Sequence, residues 1–168
     1  PSDAIFLYST QIPSKGGDTI AANMMLAYDD LPEQTKEKID GLTATHRWGW
    51  NTQGATPKLT KEQQETHPDV VHPVVRRHPK TGRRILYINP GYTMRINELE
   101  QSESDDLLTQ MFEHALDPKY QYRHKWKVNM LLGLDNRASM HAAVDDYTEP
   151  RRMLRMIVGN TEKVQKAA

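Results

Sequence analysis

The order of the predicted elements is the feature that most restricts the fold of this chain. Short segments rich in β-forming residues predict strands at 4–10, 70–77, 84–89, 120–127, 130–135, 138–144 and 151–158. Helical patterns are confined to residues 18–28, 32–41 and 102–116. Because these helices are grouped and do not alternate with the strands, the pattern favours an antiparallel sandwich or barrel with helical insertions over an alternating β-α-β fold. The expected class is therefore mixed β with helical insertions.

Local signals mark where two of the helices begin. Asp18 or Thr19 is predicted to cap a first helix that runs to about Tyr28. Ser102 with Asp105 three residues later resembles a capping box at the start of the helix over 102–116. Both starts are predictions from side-chain chemistry alone.

The rest of the chain is predicted to be loop and tail within a single domain over 1–168. Residues 51–68 are polar without a clear period, which is typical of a lid or a binding loop. Residues 161–168 are expected to be a frayed tail. The chain begins at Pro1 and not at Met, so we expect that an N-terminal portion of the parent protein is missing.

Composition disfavours several classes of function. Twenty-two basic residues balance 22 acidic ones, which disfavours a nucleic acid or a membrane surface as the partner. The absence of cysteine excludes disulfides, thiolate metal sites and a cysteine nucleophile. No apolar run approaches the length of a membrane span and no signal peptide opens the chain, so a cytoplasmic location is expected.

Seven histidines without cysteine restrict any metal site to imidazole, carboxylate and water ligands. Two histidines and one carboxylate form a facial triad that leaves one side of Fe(II) open for a chelating cosubstrate and dioxygen. His67 and Asp69 form an H-x-D tripeptide, and with His141 they offer one such triad by spacing alone. Pro68 argues against that triad, because proline fixes φ and removes a backbone donor between the two ligands.

Three blocks of sequence carry a resemblance to a known family. Residues 16–19 read G-G-D-T, residues 72–93 contain H-P-V-V-R-R-H-P-K-T-G-R and then N-P-G-Y-T, and residues 135–141 read D-N-R-A-S-M-H. In this order the blocks are similar to the signature of the TauD/TfdA (taurine dioxygenase-like) family of Fe(II)/2-oxoglutarate-dependent dioxygenases. The resemblance covers essentially residues 5–159, and in it the position of His67 holds no metal ligand.

The resemblance implies roles for three residues. His141 would be the second iron histidine, and Arg152, eleven residues later, would hold the far carboxylate of 2-oxoglutarate with its guanidinium fork. Thr19 of G-G-D-T would contact the same carboxylate. The family's first iron motif, H-x-D, would lie upstream of Pro1, so the chain is expected to be an N-terminally truncated double-stranded β-helix (jelly roll) that is inactive alone.

The activity implied is hydroxylation of a small acidic organic substrate with dioxygen, releasing succinate and CO2. In the taurine enzyme a second arginine, four residues after the first, holds the substrate sulfonate. Counting from Arg152 places Met156 there, and Arg155 is one residue off. Tyr92, Arg155 and Met156 are therefore only weak candidates for contact with the substrate, and Arg155, like Arg151, is otherwise expected to be solvated or paired.

Two alternatives remain open at this point. Instead of a dioxygenase, the chain could be a non-catalytic jelly-roll module that binds a ligand or partner. It could also be a metal-independent β-sandwich that binds a sugar or an acid, with Arg152 serving an anionic ligand. A truncated jelly roll is also expected to expose strand edges, which favours a homo-oligomer. His46, His114 and His124 carry no functional signal.

Overall fold

A computed structural model of the chain describes residues 2–50, 59–159 and 164–167. Its strands are β1 Ala4–Gln11, β2 Thr19–Asn23, β3 Thr43–His46, β4 Val70–Pro73, β5 Val75–Arg77, β6 Arg84–Leu86, β7 Thr93–Ile96, β8 Gln121–His124, β9 Leu131–Asp135, β10 Ser139–Ala143 and β11 Arg152–Val158. Its helices are α1 Met24–Asp29, α2 Glu33–Ile39, α3 Lys61–Thr66 and α4 Gln101–Ala115, with a 3-10 turn at Pro118–Tyr120. The predicted mixed β class with helices is confirmed.

The chain divides into two compact units. The first unit takes its residues from 1–24 and 117–163, and the second from 25–116 and 164–168. The described part of the first unit contains two three-stranded antiparallel sheets, ordered β11-β1-β9 and β10-β2-β8. The described part of the second contains the antiparallel sheet β4-β3-β7 and the antiparallel pair β5-β6.

In the first unit, β1 is the central strand of its sheet. Ile5 pairs with Ile157 of β11 on one side and with Leu134 of β9 on the other, so three apolar side chains share one face. At the end of the strand, Ser9 is fully buried and its hydroxyl donates to the carbonyl of Lys127 at 2.6 Å. This bond connects the end of β1 to the segment that follows β8.

The segment after the G-G-D-T turn is a strand, so the helix predicted from Asp18 or Thr19 to Tyr28 is wrong in its first half. Residues Thr19–Asn23 form β2, which pairs with β10 and β8 on its two sides. Helix α1 begins only at Met24. Pairing on both edges satisfies the backbone groups of this segment, and such tertiary pairing overrides a local capping signal.

Helix α4 packs one apolar stripe into the second unit, as its 3.6-residue period predicts. Its buried residues are Ser104, Leu107, Leu108, Met111, Phe112 and Ala115. The predicted capping box is wrong, because the helix begins at Gln101 and its N-cap, Glu100, makes no side-chain capping bond. Ser102 therefore lies inside the first turn. No helix in the described ranges is long and apolar enough to cross a membrane.

The predicted loop over 51–68 is only partly a loop. Residues 51–58 lie outside the described ranges. Residues Lys61–Thr66 form α3, which begins with a capping box in which Thr60 and Gln63 bond reciprocally. Because these two side chains satisfy backbone donors at the first turn, a helix forms here without any buried residue of its own.

Part of the predicted frayed tail is also ordered by pairing. Within 164–167, the backbone N–H of Ala167 donates to the carbonyl of Val75 at 3.3 Å, and the carbonyl of Gln165 accepts from Arg77 at 3.1 Å. These bonds add the segment to the edge of β5. An unpaired strand edge accepts such a segment readily, which composition alone does not reveal.

Candidate functional site

The sheet β10-β2-β8 gathers several polar side chains on one face. Ala21 of β2 lies opposite His141 of β10 and opposite Tyr122 of β8. Two residues earlier, Thr19 lies opposite His124. Because directly paired residues and alternate residues of an antiparallel sheet project to the same side, His141, Thr19, His124 and Tyr122 share this face.

Thr19 is the most deeply buried member of this group, with 2% of its surface exposed. Its hydroxyl oxygen accepts from the indole Nε1 of Trp126 at 3.0 Å and from Nη2 of Arg151 at 3.2 Å. Nε of Arg151 is buried and has no hydrogen-bond partner among the described residues. The guanidinium edge formed by Nε and Nη2 therefore meets Thr19 with one donor still free.

The G-G-D-T turn is held in place immediately before Thr19. Gly17 donates its backbone N–H to Oδ1 of Asp146 at 2.8 Å. Arg123 donates from Nε to Oδ2 of Asp18 at 2.7 Å and from Nη2 to Oδ2 of Asp146 at 3.1 Å. At Gly16 the backbone has φ +77, and an added Cβ would lie 2.5 Å from the carbonyl oxygen of Asp146, so a side chain does not fit there.

His141 is half-buried and its environment favours the neutral imidazole. Burial lowers the pKa of His141, and the positive charge of Arg155 lowers it further. A neutral imidazole is the form that binds a metal ion. Within the described ranges, however, no group of three or more histidine, aspartate, glutamate or cysteine residues is placed to hold a metal ion.

Arg151, and not the predicted Arg152, is the arginine whose side chain reaches Thr19. Arg152 is exposed, opens β11 and pairs with Gln11. Its carbonyl accepts from the Thr10 hydroxyl at 3.1 Å. Counting eleven residues from His141 selects Arg152, but it is the side chain of the preceding residue, Arg151, that points towards Thr19. The structure therefore brings Arg151, and not Arg152, into contact with Thr19.

The weak substrate candidates lie in different places. Arg155 and Met156 are consecutive in β11 and so project to opposite faces, with Arg155 on the side whose charge reaches His141. Met156 pairs with Phe6 and is 58% exposed. Tyr92 belongs to the second unit, where it is 47% exposed beside the start of β7.

The H-x-D tripeptide is engaged in other contacts. Asp69 accepts two bonds from Arg47, from Nε at 2.8 Å and from Nη2 at 2.7 Å. The His67 ring stacks on Trp48, with the ring centroids 4.8 Å apart. The carboxylate of Asp69 is thus already paired with a guanidinium. This pairing argues against the metal triad of His67, Asp69 and His141.

Three residues of this face were missed or misjudged from the sequence: His124, Trp126 and Arg151. The signal for the first two is the alternation of aromatic residues at 122, 124 and 126, which puts them on one side of an extended segment. The signal for Arg151 is its spacing of four residues from Arg155, which is the spacing that the family resemblance gives for its two arginines.

Comparisons with known proteins agree with the sequence resemblance. The family model "Taurine catabolism dioxygenase TauD, TfdA family" matches residues 1–157. The chain is 37% identical to an alpha-ketoglutarate-dependent 2,4-dichlorophenoxyacetate dioxygenase of Burkholderia sp. (strain RASC), over 86% of this chain and 48% of that protein. It is 34% identical to an alpha-ketoglutarate-dependent sulfate ester dioxygenase of Pseudomonas putida, over 91% of this chain and 54% of that protein.

A solved structure is similar to the chain as well. The crystal structure of AAD-2 in complex with Mn(II) and N-oxalylglycine matches with a TM-score of 0.87 and 33% identity, covering 96% of this chain and 65% of that one. The chain spans about half of the length of the curated relatives that it matches. From its match to the family model over nearly its whole length, we conclude that the chain belongs to the TauD/TfdA family.

Proposed function

We propose that the chain is part of a Fe(II)/2-oxoglutarate-dependent dioxygenase that hydroxylates a small acidic substrate and releases succinate and CO2. Family membership supports this proposal, as do two relatives, a 2,4-dichlorophenoxyacetate dioxygenase and a sulfate ester dioxygenase. The main structural support is the contact of Arg151 with Thr19, because this pair offers a carboxylate a positive charge and several hydrogen-bond donors.

The Arg151–Thr19 pair fits one end of 2-oxoglutarate. The guanidinium edge of Arg151 presents Nε, which has no partner, beside Nη2, which lies 3.2 Å from the Thr19 hydroxyl. A carboxylate placed at this edge accepts two parallel N–H bonds. It also accepts the proton of the Thr19 hydroxyl, since the oxygen of that group already accepts from Trp126.

His141 fits the role of one iron ligand. Burial and the charge of Arg155 favour its neutral form, and it shares a sheet face with Thr19. Since the described residues offer no complete ligand set, we propose that the two other ligands lie outside them. When bound, iron and 2-oxoglutarate supply the oxidative chemistry with dioxygen, while this chain holds the cosubstrate and excludes water.

Arg155 is the residue that we propose for the acidic group of the substrate. Once Arg151 is taken as the anchor of 2-oxoglutarate, Arg155 stands four residues later, at the position that the resemblance gives to the second arginine. Met156, on the opposite face of β11, no longer fits that position. We also propose that the two sheets of the first unit are parts of a double-stranded β-helix.

Binding of 2-oxoglutarate to the full chain, measured by calorimetry with and without Mn(II), tests the assignment of the anchor. We expect Arg151→Ala to weaken binding at least 10-fold, because a charge-assisted carboxylate contact contributes about 1.5–3 kcal/mol. Arg152→Ala is the matched control and should bind like the wild type. If Arg152→Ala weakens binding and Arg151→Ala does not, Arg152 is the anchor of 2-oxoglutarate. A wild-type chain that does not bind 2-oxoglutarate contradicts the proposed function.

A non-catalytic module that binds an acid is the second candidate, and the absence of a three-residue metal group from the described residues favours it. The effect of Mn(II) separates the two. In a dioxygenase, a protein that includes the two other proposed metal ligands should bind 2-oxoglutarate more tightly with Mn(II) as the wild type but not as His141→Ala. A non-catalytic module should bind 2-oxoglutarate equally well with and without Mn(II) in both proteins.

A further inference from the structure

We propose that His124 is a third binding residue for the far carboxylate of 2-oxoglutarate, beside Arg151 and Thr19. This inference rests on the proposed function. It concerns a residue outside the motifs that carry the family resemblance, and it follows from where the fold places the imidazole and from which of its atoms lacks a partner among the described residues.

The position of His124 is set by strand pairing. Thr19 of β2 lies directly opposite His124 of β8 in antiparallel register. Side chains of directly opposed residues have Cβ atoms about 4.5–5.5 Å apart on the same face. Any group that contacts the Thr19 hydroxyl from that face therefore lies within reach of the His124 ring.

The orientation of the ring is set by two neighbours. Nδ1 of His124 lies 3.2 Å from the hydroxyl of Tyr122. The ring also meets Trp126 edge to face, with centroids 4.3 Å apart, and Trp126 in turn donates to Thr19. With the ring held from both sides, Nε2 is buried, and no residue in the described part of the chain is its hydrogen-bond partner.

An unpartnered buried nitrogen is unfavourable, because buried polar groups are nearly always hydrogen-bonded. When the Tyr122 hydroxyl donates to Nδ1, the ring proton of the neutral imidazole resides on Nε2, which is then a donor. A carboxylate oxygen is an acceptor that would satisfy such a donor. Nε of Arg151 also lacks a partner among the described residues, and both side chains adjoin Thr19, Arg151 through its hydrogen bond and His124 through strand pairing.

The donors also match the capacity of a carboxylate. Its two oxygens accept about four hydrogen bonds. Arg151 supplies two N–H groups on one edge, Thr19 supplies its hydroxyl proton and His124 supplies Nε2–H. A ligand with a single oxygen, such as an alcohol, would leave most of these donors without an acceptor. The site is therefore suited to a carboxylate.

Three substitutions of His124 separate a binding role from a structural one. His124→Phe keeps the ring against Trp126 but removes both nitrogens. His124→Gln places an amide nitrogen near the position of Nε2, and His124→Asn places one near the position of Nδ1. We expect about a 10-fold weaker affinity for 2-oxoglutarate in the Phe and Asn variants and less than about a 3-fold loss in the Gln variant.

Calorimetric titration of the full chain with 2-oxoglutarate, alongside thermal unfolding without ligand, measures these effects. Rescue by Gln but not by Asn supports the inference, since a purely structural role does not distinguish the two amides by affinity. If His124→Phe binds like the wild type while Arg151→Ala does not, the inference fails and the proposed function stands. If the affinity falls only in parallel with the midpoint of thermal unfolding, or if Arg151→Ala also binds like the wild type, the inference is overturned.

Discussion

Two regions of the chain combine the same residue types and use them differently. In the first unit, a threonine, a histidine, a tryptophan and an arginine meet on the face of β10-β2-β8. In the second unit, Thr93, His46, Tyr87 and Arg76 form a comparable cluster. We call these the Thr19 cluster (Thr19, His124, Trp126, Arg151) and the Thr93 cluster.

In the Thr93 cluster, the central threonine is bonded to the backbone. The hydroxyl oxygen of Thr93 accepts from the backbone N–H of Asn89 at 2.8 Å and lies 3.2 Å from Nδ1 of His46. Arg76 is only 3% exposed and lies over the Tyr87 ring, 4.8 Å from its centroid. Because its threonine is bonded to the backbone, any change in this cluster disturbs the fold itself.

The Thr19 cluster is bonded through side chains instead. Both donors to Thr19 come from side chains, Trp126 and Arg151, and Arg151 is only partly buried. Side-chain donors reorient towards a ligand without breaking the β-ladder. The two clusters show that residue types alone do not distinguish a ligand site from a structural network. The distinction lies in whether the threonine hydroxyl is bonded to side chains or to the backbone.

The largest expected effect is the acid sensitivity of the Thr93 cluster. Burial lowers the pKa of His46 from 6.5 to about 4, helped by the charge of His72. Below pH 6.5 His46 binds a proton in the unfolded chain but not in the folded chain. The contribution of neutral His46 to the free energy of unfolding is therefore fully present above pH 6.5 and is lost as the pH falls to 4. Its full loss is about 3 kcal/mol of unfolding free energy.

Urea unfolding at pH 7 and pH 4.5 measures this effect in the wild type and in His46→Asn, whose amide keeps a partner for Thr93. We expect the variant to lose much of the pH dependence. His67→Asn, at an exposed position, is the control and should keep the wild-type slope. Equal slopes in the wild type and His46→Asn would refute the assignment. The pKa values of His72 and His141 are also lowered, so only the difference between the proteins reports on His46.

The two threonines provide the next largest effect and the sharpest test of the comparison. Thr93→Val should cost about 2 kcal/mol, since it leaves the Asn89 N–H and His46 without their partner. Thr19→Val should instead reduce the stabilisation by 2-oxoglutarate, because it removes one hydrogen-bond donor to the carboxylate. That stabilisation is about 2.7 kcal/mol at a ligand concentration 100 times Kd.

Chemical unfolding of both variants with and without 2-oxoglutarate measures these effects. Thr93→Val should start from a lower stability but respond fully to the ligand. If the ligand response disappears in Thr93→Val and persists in Thr19→Val, the roles of the two clusters are the reverse of those assigned here.

The smallest expected effect belongs to the Arg47–Asp69 pair, which lies in neither cluster. Both side chains are 38% exposed, so Asp69→Asn should cost at most about 1 kcal/mol, and less at high salt. Unfolding at low and high salt checks the stability. Mn(II) binding followed by electron paramagnetic resonance should be unchanged, and a loss of binding in Asp69→Asn would restore the H-x-D triad as the metal site.

Much of the fold was predictable because the relevant signals are local. The strands β1 and β9 to β11 follow β-forming runs, and the apolar stripe of α4 follows its period. The start of β2 was not predictable from local signals, since Thr19 is chemically suited to cap a helix. Its extended state depends on β8 and β10, which lie more than a hundred residues away in the chain.

The sequence by itself determined family membership, the mixed β class, and His141 and Thr19 as candidate site residues, because motifs keep residue types in a fixed order. The tertiary structure decided which of two adjacent arginines meets Thr19 and placed His124 beside them. A motif gives only the number of residues between two positions. The direction of a side chain depends also on where the strand begins and on which strand lies beside it. A shift of one residue at such a point reverses the face, and only the folded backbone sets it.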